Sequence, residues 1–137
     1  MPGLSDGELP YGKVFTMARR MASQNQFQYK HWRSYSAERD AWWLLIRSQL
    51  PPRGAAPDHP VRLRLHSFRT RLVDYANLVG GAKPIPDVLI RLGYLKDDSP
   101  RWFHCDYFQT VVPKAQERTE LTFLSWAAGD IEEALDA

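Results

Sequence analysis

Hydrophobic and polar positions alternate most regularly from Val61 to Arg71, where Val61, Leu63 and Leu65 fall on one side and Arg62, Arg64 and His66 on the other. A period of two is the signature of a half-buried strand. Lys13–Met21, with Val14 and Met17 as its apolar positions, predicts an earlier strand. Arg101–Val112 and Thr119–Trp126, rich in β-branched and aromatic residues, predict two more, expected to pair as a hairpin across the polar turn Pro113–Arg118. Helical spacing appears twice. In Ala37–Leu50, Ala41, Leu44, Leu45 and Ser48 share a face that Trp42, Trp43 and Ile46 widen; Ser36 is placed to cap it and Pro51-Pro52 to stop it. In Pro84–Leu92, Ile85, Val88, Leu89 and Leu92 form an apolar stripe that ends at Gly93. Asp74 is expected at a strand end, followed by a Gly80-Gly81 turn. Residues 1–12 read as a flexible lead-in to one domain over residues 13–137, Arg53–Pro60 as a loop, and Ala127–Ala137 as a short acidic helix or tail. The fold class predicted is α+β: a small mixed sheet of about four strands with two main flanking helices.

The length of 137 residues fits one modest core. No apolar run is long enough to span a bilayer, and Met1–Pro10 has no signal-peptide pattern, so no membrane partner is expected. Cys105, the single cysteine, cannot form an internal disulfide, cannot build a cysteine zinc site, and fits a reducing cytoplasm. The net charge of +2 hides a segregation. Lys13–Arg71 holds twelve Lys/Arg against Glu38, Asp40 and Asp58, whereas the chain from Leu72 onward holds six against eleven acids. A basic half beside an acidic half points to a polyanion partner and a carboxylate site, although a solvated surface would show the same numbers.

The basic half contains candidate nucleic-acid contacts. Ala22–Tyr35 interleaves Phe27, Tyr29, Trp32 and Tyr35 with Lys30, His31 and Arg33, beside the amides Gln24, Asn25 and Gln26. Aromatic faces stack on unpaired bases and cations neutralise phosphates, so the run reads as a binding loop. Arg19 and Arg20 flank it, and Arg69 and Arg71 precede Asp74 as candidate phosphate grips. In the acidic half, Asp74, Lys83 and the Asp97-Asp98 pair would converge if the chain doubles back. Two carboxylates suffice to hold Mg²⁺ or Mn²⁺, which keeps several waters, and a lysine can stabilise charge developing on a phosphate. Asp74 and Asp98 are the candidate metal ligands. Only one acid of the 97–98 pair is expected to ligate.

The stretch Asp74–Pro100 resembles the RusA family of Holliday-junction resolvases. The family pattern runs acid, any residue, acid, Asn-Leu, then a lysine, an aspartate at a helix start, a glycine and a closing Asp-Asp. Here those positions are Asp74, Tyr75, Ala76, Asn77, Leu78, Lys83, Asp87, Gly93, Asp97 and Asp98. Upstream, the segment from Ala22 to Trp32 resembles the family's Pro-Ser-x-Asn segment and basic aromatic loop, with Ala22 in place of proline. The likeness spans Val14–Trp126 and is specific only in the central stretch. It implies a homodimer and a Mg²⁺- or Mn²⁺-dependent endodeoxyribonuclease that nicks four-way DNA junctions symmetrically. It also implies Asp74 and Asp98 as metal carboxylates, Lys83 as the catalytic lysine and Asp87 as a structural acid. The departure is Ala76, which occupies the position of an expected acid and cannot coordinate. On a strand, residues 74 and 76 would face the same side, so their joint use of one metal is expected. The alanine marks either a natural member with weakened catalysis or a deliberate replacement, and its intact surroundings favour the replacement. The expected phenotype is junction binding with impaired cutting.

Two alternatives remain open on the sequence. One is a non-catalytic binder of branched or single-stranded nucleic acid. The other is a small interaction protein using Trp42 and Trp43 as an apolar patch.

Overall fold

The computed structural model describes residues 8–24 and 32–126. The chain forms a single α+β domain: β1 (Val14–Met17), α1 (Trp32–Arg47), β2 (Val61–Arg69), α2 (Tyr75–Gly81), α3 (Pro84–Leu92), β3 (Phe103–Val111), a 3₁₀ turn (Lys114–Gln116) and β4 (Arg118–Leu124). The strands make one mixed sheet in the order β1-β4-β2-β3. β4 runs antiparallel to both neighbours, with Leu65 opposite Leu121 and Phe15 opposite Leu121 on its other side. β3 runs parallel to β2, with Leu63 beside Cys105 and Leu65 beside Tyr107.

The expected hairpin of the last two strands is therefore not formed. A parallel β2–β3 pair needs a long crossover, which α2 and α3 supply. The chain then leaves the β3 edge through Pro113–Glu117 and returns on the far side of β2, where β4 completes the ladder of the central strand. Each predicted strand is present: β1, β2 and β3 lie within their expected bounds, and β4 starts one residue before its own and ends two residues short.

One face of the sheet carries the core. Phe15 and Met17, Leu63 and Leu65, and Leu121 and Phe123 are buried under α1 and α3. The face of α1 that turns inward carries Trp42 and Ile46, continued by Leu50 in the turn beyond its end, not the expected Ala41–Leu44–Leu45–Ser48 face; Leu44 is 71% exposed. Trp43 packs against the core edge with Arg91 over its ring. With Trp42 fully buried, these two tryptophans do not make an apolar surface patch. The helix also starts earlier than the Ser36 cap predicts, because Tyr35 is already engaged with α3 by donating a hydrogen bond to Asp87.

The expected lead-in is docked from residue 8 onward: Leu9 is buried in the core, and Gly12 N–H donates to Phe123 O at 2.9 Å. α3 matches its prediction. Its prolines occupy the first turn, and Gly93 closes it with φ +87°, where an added Cβ would also meet Arg53 O at 2.9 Å. Among the described residues no helix is long and apolar enough to cross a membrane.

Candidate functional site

The segment expected to be a strand end and a glycine turn is helix α2. Asp74 is its N-cap: Asn77 N–H donates to Asp74 Oδ1 at 2.9 Å and Asn77 Nδ2 to Oδ2 at 2.8 Å. Gly80 and Gly81 lie inside the helix. They are small because α2 rides directly on residues 22–24: a Cβ on Gly81 would sit 1.8 Å from Ala22 O, and one on Gly80 2.6 Å from Gln24. The Gln24 N–H donates to Asn77 O at 3.0 Å across the same contact. Ala76, exposed in the first helical turn, is thus not related to Asp74 by strand pleat. The expectation that both face one metal because they alternate on a strand is withdrawn.

Asp74 is located by the edge strand. Gln109 on β3 clamps the residue before it, with its Nε2 donating to Val73 O at 2.7 Å and its Oε1 accepting from Val73 N–H at 3.1 Å. Tyr75 then meets Tyr107 of β3 edge to face at 6.3 Å.

Lys83 occupies the turn between α2 and α3. Its ammonium is 3.4 Å from Asp87 Oδ1, one helical turn on, and 3.6 Å from Asp98 Oδ2. Tyr35 donates to the other Asp87 oxygen, so α1, α3 and the loop before β3 are tied around this lysine. Burial, reinforced by the hydrogen bond to Asp87, raises the Tyr35 phenol above its ordinary range. Asp97 is turned to local use, accepting the Asp98 N–H at 2.8 Å. Asp98 also faces Tyr107, whose phenol is raised by burial first, then by Cys105, Tyr75 and this carboxylate. Tyr107 thus neighbours Tyr75 at the start of α2 and lines the same hollow as Asp98.

Beside Lys83 and Asp98 opens a cavity of about 320 Å³. Phe103, Cys105 and Tyr107, alternating inward along β3, form its floor, and Val79 and Pro86 its walls. Burial pushes the Cys105 thiol up to about 12, so it is no nucleophile at neutral pH.

Among the described residues, no group of three or more His, Cys, Asp or Glu side chains is placed to hold a metal ion. Asp74 and Asp98 are hard oxygen donors of the kind Mg²⁺ takes, but both oxygens of Asp74 already accept from Asn77, and Asp98 faces Lys83.

The predicted phosphate contacts divide. Arg69 is 1% exposed, donating to Arg71 O at 3.0 Å and Ser67 Oγ at 3.4 Å; it braces the exit from β2 and cannot reach a phosphate. Arg19 is held by Glu38 through three contacts of 2.6–3.0 Å, fastening the end of β1 to α1. Arg20 lies 3.8 Å from Glu117, and Arg71 is exposed. Asn25 and Lys30 lie outside the described residues, as does the whole of 25–31, half of the expected aromatic loop. Arg33 falls in α1 rather than in a loop. Tyr107 and Gln109 are not singled out by the sequence, and Tyr35, expected in the aromatic binding loop, instead donates to Asp87: only the fold places the three around Lys83 and Asp74.

No family model matches the chain, and the comparison with curated proteins yields no match.

Proposed function

We propose that this chain is a RusA-type, structure-specific endodeoxyribonuclease scaffold for four-way DNA junctions, impaired by Ala76. What supports the reading most is the clustering of Lys83 with Asp98 and Asp87, on the side of the sheet where Gln109 and Tyr107 position Asp74. Asp74 and Asp98 would hold a Mg²⁺ or Mn²⁺ ion. When bound, that ion supplies polarisation of a phosphate oxygen and an acidified water. Lys83 neutralises charge developing on the phosphodiester. Asp87, gripped by Tyr35, acts as a positioning residue that holds Lys83 toward Asp98. The exposed Arg71 and partly exposed Arg20 favour approach of the phosphate backbone. Two copies of the chain, acting in the cytoplasm, would offer two sites to a two-fold junction. Cleavage of a synthetic four-way junction in Mg²⁺ tests this. The Ala76→Asp variant is expected to nick at least about 100-fold faster than the chain with Ala76. Equal rates, or no cleavage by either, would overturn the nuclease reading.

A second reading, a non-catalytic nucleic-acid binder, has its own support on the outer face of the sheet. There His66 stacks on Phe68 at 4.1 Å, Arg118 lies 3.8 Å above Phe68, and Arg64 lies 5.3 Å from the exposed Phe108. Aromatic and cationic groups on an open strand face suit single-stranded nucleic acid. Junction binding that depends on Phe108 and Arg64, is independent of divalent metal and comes without cleavage would favour it.

A further inference from the structure

We propose that the cavity over β3 is a base-binding subsite, which takes the ring of one unstacked nucleotide while Lys83 meets its phosphate. This rests on the nucleic-acid reading of Lys83 and Asp98 above.

The first reason is the incomplete cover of β3. On β2 each inward residue is buried, but the inward residues of β3, Phe103, Cys105 and Tyr107, are only partly buried, packed against the edge of the core. They are the floor of the cavity, so apolar and aromatic surface that the fold normally removes from water stays accessible. A planar ring would complete that cover. The second reason is size. About 320 Å³ is at the lower end of the range of small-ligand sites, which suits one ring system and not a peptide. The third is the distribution of charge. The walls, Val79 and Pro86, are apolar, and the charged groups Lys83 and Asp98 stand together. Such a site has an apolar slot for the ring and a cation for the group attached to it. Because Asp87 and Asp98 share that cation, a bare anion gains little there, and the ring must supply most of the affinity. At a branched or opened DNA substrate, an unstacked base beside the scissile phosphate would be read in this slot.

The test is an amide NMR titration of the full chain with deoxyadenosine or thymidine 5′-monophosphate, against 2-deoxyribose 5-phosphate and inorganic phosphate. The nucleotides are expected to give saturable shifts at Val79, Gly80, Cys105 and Tyr107, and the base-free sugar phosphate to bind about 10- to 100-fold more weakly. Cys105→Phe, which fills the slot from β3, and Val79→Met, which narrows it from α2, should each weaken the nucleotides and leave the response to inorganic phosphate unchanged. Equal affinity for sugar phosphate and nucleotide would overturn the proposal, as would shifts confined to the outer sheet face, or unchanged nucleotide binding in whichever of the two variants folds. A parallel junction-binding assay separates the two readings. Junction binding without nucleotide shifts in the slot overturns the subsite alone. Slot shifts without junction binding retain the subsite and overturn the junction reading.

Discussion

The two halves of the inner sheet face are built differently. Over β1, β4 and β2 the cover is complete: Trp42, Ile46 and the α3 stripe bury Leu63, Leu65, Leu121 and Phe123 to 0% exposure. Over β3 the cover is partial: Phe103, Cys105 and Tyr107 are only partly buried and line a cavity, and a lysine sits between two carboxylates at its edge. Close packing leaves no room for a ligand, and a chemical site needs uncovered, charged groups. The closed half holds the fold, and the open half is where the fold leaves room for chemistry.

Truncation should expose this contrast most strongly. Trp42→Ala is expected to cost about 3–5 kcal/mol of unfolding free energy, against about 1 kcal/mol for Cys105→Ala beside the cavity. Urea unfolding of both decides it, and equal losses would break the distinction. Arg69 tests the boundary between structural and functional arginines. Arg69→Ala should lose about 1–3 kcal/mol, since it strips a buried brace of its hydrogen bonds. The salt slope of junction binding should stay unchanged, because the guanidinium never meets a phosphate.

The pH dependence sharpens the same comparison. Tyr35, Cys105 and Tyr107 all lie on the open side, and burial holds each above its ordinary value of 10.0, 9.0 and 10.0. Folding favours their neutral forms. Their contribution is therefore complete below about pH 9, and is lost as pH rises through their folded values, because the unfolded chain ionises first. Unfolding free energy measured from pH 8 to 11 should fall. Tyr35→Phe and Cys105→Ala should each flatten that fall, and an unchanged slope in both would contradict the assignment. The smallest effect is that of Ala76→Asp on stability. An acid in the first turn of α2 faces the positive end of the helix dipole, so a gain of about 0.3–1 kcal/mol is expected by thermal unfolding.

Much of the closed half was readable in the sequence because period and burial coincide there. The alternation at Val61–Leu65 and the proline-led stripe of α3 are local signals that the core reinforces. The open half was harder to read. Gly80-Gly81 looks like a turn, but its cause is the contact of α2 with Ala22 and Gln24, which no local pattern contains. The hairpin expectation failed because pairing with the central strand β2 outweighed proximity in sequence. Lys83 and Asp98 were identifiable from residue type and spacing, and Asp87 only through the family resemblance. Tyr35 and Gln109, which position the cluster, come from α1 and β3: the local pattern marks Tyr35 only as a nucleic-acid contact, and nothing local marks Gln109. Arg69 looked like a surface cation because arginine seldom lies fully buried, and only its hydrogen bonds to Ser67 and Arg71 explain why it does.

The most direct test of the central claim, that Asp74, Lys83 and Asp98 belong to one metal-dependent phosphodiester site, is Mn²⁺-induced broadening of amide signals. Titrated into the chain with Ala76 and into Ala76→Asp, Mn²⁺ should broaden the amides of 74–77, Lys83 and Asp98 together, at lower concentration in the variant. Broadening confined to other acids, such as Asp106, Glu117 or Glu120, or none at millimolar Mn²⁺ in either protein, would contradict the account.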